Sequence, residues 1–317
     1  MLQHDPNGET VDILMAVYNG AESLPDQLGS FAEQTHHHWR LLASDDGSTD
    51  ASRQILDTFG RALPHGKVKV IDGPQKGASE NFLGLLRHII DQRPAPRWIA
   101  FSDQDDVWLS DKTARALAAL KRCDPEKPAL YCSRTWVTCQ SLSSRRISAP
   151  RPRSPNFRNA LVQNIAAGNT IVLNPAAVSL VLESVKHVGS VVVHDWWLYQ
   201  LITGAGGNII HDDAPSLLYR QHDANQIGVN DTAFARLRRF FQLLRGDFRR
   251  WNQINIAALR SCNAVLRPDH RAVLESFAKL SSLPLMERLV LLRHLRLYRQ
   301  TTGGTLTLWI AVLFRLV

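Results

Sequence analysis

Three carboxylates, Asp103, Asp105 and Asp106, follow directly on the apolar run Trp98-Ile99-Ala100-Phe101 and Ser102. Ionised acids this close repel each other, and burial raises the cost further. Either the chain turns out into water here, or a cation is held. Two carboxylates one residue apart at a strand end suit an oxygen-preferring divalent ion, Mg2+ or Mn2+, which keeps several waters and bridges to phosphate oxygens. The competing reading is an Asp-rich turn capping the next helix, where acids meet the positive helix end. Three acids after an apolar strand favour the ion, because charged side chains avoid burial unless paired.

A second acidic turn runs Ser44-Asp45-Asp46-Gly47-Ser48-Thr49-Asp50. Asp46 beside Gly47 offers acceptor oxygens to a nucleobase imide or ribose hydroxyl while the glycine lets the backbone turn. An Asx turn leading into a helix fits those residues equally well. Asp195, in His194-Asp195-Trp196-Trp197, stands either as a helix cap or as a proton acceptor, and the two tryptophans suit a core or, for one of them, a sugar-stacking face. His36, His37 and His38 lack the spacing for convergent ligation and read as a surface loop.

These groups need elements to position them. Val11–Val17 reads as a strand ending at Asn19-Gly20, and a helix across 21–34 carries Leu24, Leu28 and Phe31 on one face. The plan repeats: a second strand with a helix capped by Ser48 or Thr49, a third strand over 67–72 with a helix across 78–92, and a fourth over 97–102 with a helix across 110–122. Such alternation predicts an α/β fold built on a doubly wound parallel sheet flanked by helices. Ligands of these sheets sit at the carboxyl ends of the strands. Asn19, Asp45-Asp46, Gly73 and Asp103 all fall there.

Beyond Cys123 the sequence predicts strands over 129–139 and 167–174, a mobile basic loop over 144–155, and helices opening at Pro175 and spanning 194–202. Two short strands follow, within 206–211 and 215–222. A helical tail covers 233–299, with Phe234, Leu237, Phe241, Leu244, Phe248 and Trp251 on one face and Arg238, Arg239, Arg245, Arg249 and Arg250 mostly elsewhere. The apolar segment 306–317 is shorter than the ~20 residues that a bilayer span needs.

Composition agrees with a large folded unit: 317 residues, 44% hydrophobic and 21% charged. The net charge of +8 is uneven, with 15 Lys+Arg against 5 Asp+Glu from Asp231 onward, and 22 against 24 before it. A near-neutral body over 9–230 and a basic C-terminal region over 231–317 are therefore expected. The basic region either packs on the body or contacts an anionic membrane; with no recognisable nucleic-acid module, nucleic acid is not an expected partner. The start MLQHDPNGET does not read as a signal peptide, and four scattered cysteines suggest no disulfide framework, so a cytoplasmic location is expected.

Taken in order, AVYNG, Gln34-Thr35 with Trp39, SDDGSTD, KGASEN and SDQDD resemble the glycosyltransferase family 2 pattern on a GT-A fold. HDWW and YRQHDANQIG resemble a bacterial subgroup often labelled rhamnosyltransferase-like, and the likeness covers residues 11–228. It implies a Rossmann-like, mostly parallel central sheet, here with a C-terminal helical extension. It also implies that Tyr18 and Asn19 lie against the nucleotide, that Asp46 meets the base, and that Lys76 to Asn81 line the nucleotide side. Asp103 and Asp105 match the family's DxD metal motif, with Asp106 as a neighbouring acid. Asp195 takes the place of the catalytic base, Gly168-Asn169-Thr170 shapes the acceptor side, and Arg220 or His222 supplies a donor to the leaving diphosphate from a closing loop.

Many members carry a Glu-Asp pair or a GlnXXArgTrp-like segment near Asp195, where this chain has His194-Asp195 and, downstream, Arg220-Gln221-His222. The implied activity is inverting, metal-dependent transfer from a UDP- or dTDP-sugar, dTDP-rhamnose among them. The implied acceptor is a hydroxyl of a saccharide or lipid-linked saccharide in surface polysaccharide synthesis, at the inner face of the cell membrane. Two other classes compete with this reading. A nucleotidyltransferase would carry a Gly-rich basic phosphate loop after the first strand, which AVYNGAESL lacks. A non-catalytic nucleotide-sugar-binding module would have no turnover for Asp195→Asn to remove.

Overall fold

The computed structural model describes residues 9–90, 97–221 and 247–317. Four β-α units open the chain: β1 (Val11–Val17), α1 (Leu24–Ala32), β2 (Trp39–Asp45), α2 (Ser52–Arg61), β3 (Val68–Asp72), α3 (Ala78–Ile90), β4 (Trp98–Ser102) and, after a two-residue strand β5 (Val107–Trp108), α4 (Lys112–Leu120). There follow β6 (Ala129–Ser133), β7 (Trp136–Thr138), β8 (Arg145–Ile147), α5 (Phe157–Ala160), β9 (Val172–Leu173), α6 (Pro175–Val185), α7 (His194–Gly204), β10 (Asn208–Asp212) and β11 (Leu217–Arg220). Four helices close it: α8 (Asp247–Ser261), α9 (Pro268–Lys279), α10 (Leu285–Leu295) and α11 (Thr302–Leu313).

Seven strands form one sheet in the order β10-β6-β9-β4-β1-β2-β3. All its pairings are parallel except those of β9, which runs antiparallel to both β4 and β6. Pleating decides which face each side chain serves. Leu14 joins the hydrophobic cluster of α3, α6 and α7, whereas Ile13 and Met15 join the one beneath α1 and α4. Both faces are covered, which is why β1 is an unbroken apolar run except for Asp12. Asp12 is itself held by Arg40 and Arg97.

Register brings the strand ends level. Val17 pairs with Asp45, Asp45 with Asp72, and Met15 with Ser102. The residues after each strand therefore meet along one rim. The expected strand 129–139 is two strands in two sheets: β6 stays in the large sheet, while β7 joins a four-stranded sheet ordered β5-β11-β7-β8. The expected basic loop 144–155 contributes β8 to that sheet. The expected strand 167–174 is a 3-10 turn, Gly168–Thr170, followed by only two strand residues. The turn is needed because Gly168 must reach back to Asp195. The second helix begins at Ser52 rather than being capped by Ser48 or Thr49, whose polar groups tie the neighbouring loop instead.

The C-terminal helices share the core of the sheet's α3–α6–α7 face. Leu259, Leu274, Phe277, Leu292, Leu308 and Val312 belong to the same buried cluster as Trp197, Leu198 and Leu201. Polar contacts reinforce it: Arg158 Nε donates to Leu295 O at 3.0 Å, Asn159 Nδ2 to Tyr298 O at 3.0 Å, and Gln300 N to Gln163 Oε1 at 2.7 Å. The apolar segment expected only to be too short for a bilayer supplies α11, and no helix among the described residues is long and apolar enough to cross a membrane. Of the expected aromatic face, Phe248 and Trp251 are half-buried, and Phe234, Leu237, Phe241 and Leu244 lie outside the described residues.

Candidate active site

Four acids gather around one ring. Burial first, and then the charges of Asp106, Asp103, Asp105 and Asp195, push the Tyr219 phenol well above its usual range. Three of the acids come from the turn between β4 and β5, and the fourth from the first turn of α7. Their environments separate their roles.

Asp106 is fully buried and structural. Its Oδ2 accepts from Asn169 Nδ2 at 2.6 Å and its Oδ1 from the Arg220 backbone N–H at 3.3 Å. Lys112 adds a compensating charge from the start of α4. It is also fully buried, with Nζ 3.4 Å from the centroid of the Trp108 ring, and burial lowers its pKa to about 7 against the pull of Asp106. A buried carboxylate without such partners would cost several kcal/mol.

Asp103 and Asp105 are half-buried. No donor among the described residues reaches the Asp103 carboxylate; burial, then Asp105 and Asp195, hold its pKa well above the usual carboxylate range. A divalent cation would offset this repulsion. Among the described residues no three His, Cys, Asp or Glu side chains converge closely enough to hold an ion by themselves. The pair therefore fits a hard ion completed by water and phosphate oxygens, the usual coordination of Mg2+.

Asp195 lies in the first helical turn, after Val193 at the N-cap, and does not itself act as the cap residue. Its Oδ2 accepts from Gly168 N at 3.0 Å, its Oδ1 from Trp196 N at 2.6 Å, and the Asn164 side chain adds a third hydrogen bond. Burial raises its pKa to about 6 against the lowering effect of these donors. Gly168 is required here by space: a Cβ would come within 2.8 Å of His194 Nε2. His194 in turn is buried and stacked on Phe82, ring centroids 3.8 Å apart, and burial lowers its pKa to about 3, so it packs as a neutral ring. Trp196 and Trp197 are both core residues, and Trp196 Nε1 donates to Ala160 O at 2.7 Å.

The nucleotide side is built from loops that lock one another. Gln104 joins the acidic turn to the end of β1 by accepting from Tyr18 N at 2.7 Å and donating to Tyr18 O at 2.9 Å. The Tyr18 ring is left exposed at the rim. Asn19, at φ 47°, receives Thr49 N on its Oδ1 at 2.8 Å and donates its own N–H to Ser48 Oγ at 2.9 Å. Asp46 accepts Gln75 N at 2.6 Å and Gly77 N at 2.8 Å, and so shapes the 73–77 loop on which Lys76 stands exposed. Asn81 is buried beneath this loop and donates to Ser44 O at 2.9 Å, which makes it a brace for the end of β2.

Arg220 departs from the expected role. A closing loop would leave its guanidinium free for a diphosphate, but it is buried, and a buried cation must be satisfied locally. Nε donates to Asp105 O at 3.0 Å, one terminal nitrogen to Gln140 O at 2.9 Å, and the other to Asp26 Oδ2 at 2.8 Å. The residue thus anchors the acidic turn from below. Arg220→Met is expected to destabilise the protein by about 3 kcal/mol, since two backbone acceptors and one acid lose their donor; an unchanged melting temperature would remove the anchoring role. His222 lies outside the described residues. Sequence reasoning missed Asn164, Lys112 and Tyr219; Tyr219 opens the quoted YRQHDANQIG stretch, whereas Asn164 and Lys112 sit in no motif, and only the folded chain brings all three to the acids.

A profile of the family described as Glycosyl transferase family 2 matches residues 12–171, just over half of the chain. Among curated proteins, the dTDP-rhamnosyl transferase RfbG of Shigella flexneri is 27% identical over 231 residues, 71% of this chain and 77% of that one. The UDP-Glc:alpha-D-GlcNAc-diphosphoundecaprenol beta-1,3-glucosyltransferase WfgD of Escherichia coli is 30% identical over 103 residues, 32% of this chain and 37% of that one. Among solved structures, S. aureus TarS 1-349 in complex with UDP-GlcNAc shares the fold, with a TM-score of 0.57 at 15% identity over 97% of this chain and 80% of that one. The matched span runs from β1 through the acidic turn to the 3-10 turn that holds Asp195, and on that ground the chain belongs to glycosyl transferase family 2.

Proposed function

We propose that this glycosyltransferase moves a sugar from a uridine or thymidine diphosphate donor, dTDP-rhamnose among them, to a hydroxyl of a saccharide or lipid-linked saccharide, with inversion. The carrying observation is the placing of Asp195, a rigidly held carboxylate close enough to the acidic turn to raise the pKa of Asp103. Support for the donor comes from the names of the relatives: RfbG is a dTDP-rhamnosyl transferase, WfgD names UDP-Glc, and TarS was captured with UDP-GlcNAc. WfgD also names a diphosphoundecaprenol-linked acceptor. A role in surface polysaccharide synthesis is part of the same proposal.

In this reading Tyr18 stacks on the base and Asp46 uses its remaining lone pairs toward it. Lys76 approaches the phosphates from the nucleotide side, while Asn19 and Asn81 keep that wall in shape. Asp103 and Asp105 hold the divalent ion, which when bound acts as a Lewis acid for the leaving diphosphate. Asp195 takes the proton from the acceptor hydroxyl as its oxygen bonds to the anomeric carbon and the bond to the diphosphate breaks. Attack from the face opposite the leaving group inverts that carbon. The negative carboxylate also favours the oxocarbenium-like charge that develops in the ring.

Thermal-shift titration of the whole chain with nucleoside diphosphates and their sugars, with and without Mn2+, tests this. A matching donor at a hundred times its Kd contributes about 2.7 kcal/mol, enough to raise Tm by several degrees. The expected pattern is a shift with uridine or thymidine diphosphates that largely disappears under chelation. A flat response to every nucleotide would overturn the proposal.

A further inference from the structure

Seven of the eight exposed large apolar side chains among the described residues lie on one helical hairpin. Leu285, Met286 and Val290 come from α10; Leu306, Ile310 and Leu313 come from α11, and Phe314 follows it directly. Met286 and Phe314 are 71% exposed and Val290 and Leu306 62% exposed, values far from those of a packed surface. The two helices run antiparallel, because the buried Arg288 near the start of α10 donates to Val312 O at 2.9 Å and Leu313 O at 3.1 Å at the end of α11. Leu285 and Met286 are thereby brought beside Leu313 and Phe314. Inward-facing Leu292, Leu295, Leu308 and Val312 fix the hairpin to the body, so the outer face stays presented.

We propose that this outer face docks on an anionic lipid bilayer. Residues 285–317 contain five arginines and a single acid, Glu287. Of these, Arg293, Arg296 and Arg315 are exposed around the apolar patch. Apolar side chains ringed by arginine suit the boundary between acyl chains and anionic headgroups. A second copy of the chain is a poorer occupant, since a two-fold contact would set this basic rim against itself. The hairpin's other end leads towards the catalytic cleft: Leu295, Tyr298 and Gln300 bond to Arg158, Asn159 and Gln163, and Asn164 then reaches Asp195. Docking here would hold the acceptor side of the cleft near the membrane surface. The inference goes beyond the catalytic proposal and does not depend on it, because lipid binding requires no turnover.

The test is co-sedimentation of the whole chain with vesicles of phosphatidylglycerol and phosphatidylcholine in equal parts, set against phosphatidylcholine alone. Partition onto the anionic vesicles is expected to exceed that onto neutral ones by about tenfold or more and to fall with added salt. The triple variant Met286→Glu, Leu306→Glu, Phe314→Glu changes only exposed positions and should keep the wild-type melting temperature while partition falls at least tenfold. Arg293→Gln with Arg315→Gln, which leaves the apolar patch intact, should lose roughly fivefold per arginine. Equal binding to both vesicle types, or a triple variant that binds as the wild type does, would overturn the proposal. So would a dimer in sedimentation velocity that the triple variant dissolves while neither protein binds vesicles, which would assign the face to self-association.

Discussion

Asp195→Asn is expected to lower kcat by about 10²–10⁴-fold while the affinity for the donor nucleotide stays within a few-fold of wild type. Asparagine keeps the size of the side chain, and its oxygen can still accept from Gly168 N or Trp196 N. What it loses is the ability to take a proton from the acceptor hydroxyl. The wild-type pH profile should carry the same signature. The Asp195 carboxyl is raised to about 6 by burial, so the base is ionised above that pH and becomes protonated below it. kcat/KM should therefore be level above about pH 6 and fall up to tenfold per unit below it. A divalent ion beside Asp103 favours the charged form and moves this limb to lower pH. The asparagine variant should show no such limb. Wild-type turnover in Asp195→Asn would assign proton transfer to another group.

Asp105→Ala is the second large effect. Removing one of two carboxylate ligands should weaken metal-dependent transfer by several kcal/mol in the transition state, about 10²–10⁴-fold in kcat/KM. The Mn2+-dependent thermal shift with nucleotide should disappear in parallel, which gives a readout independent of turnover. Folding should be spared. The contact from Arg220 Nε is to the Asp105 backbone carbonyl, which alanine retains, and losing the side chain relieves repulsion at Asp103. The melting temperature of the free protein is therefore expected to stay close to that of the wild type. Unchanged turnover in the presence of a chelator would remove the metal from the reaction.

Much of the frame can be read from local pattern. Parallel strands covered on both faces leave long apolar runs such as Val11–Val17, and the turns at their carboxyl ends are marked by Asn19-Gly20, Asp46-Gly47 and Asp103. Each of those signals is contained in a few adjacent residues. The same holds for the crowding of acids after β4, since repulsion between near neighbours is visible without a fold.

Which of those acids is buried as a brace and which faces the cleft depends on partners far away in the chain. Asp106 is settled by Asn169 and Arg220, 63 and 114 residues distant, and Asp195 by the Gly168 N–H, 27 residues before it. Arg220 looks like a ligand for phosphate in sequence because arginine always carries charge. Burial forces that charge to be satisfied on Asp26, Gln140 and Asp105 instead. Strand β7 pairs locally with β8, but what seats the two in the second sheet is the pairing of β7 with β11, some 80 residues later. Short-range periodicity and charge spacing thus determined the sheet, its rim and the candidate acids, whereas burial and long-range hydrogen bonding, which only the closed chain creates, decided the work each acid does.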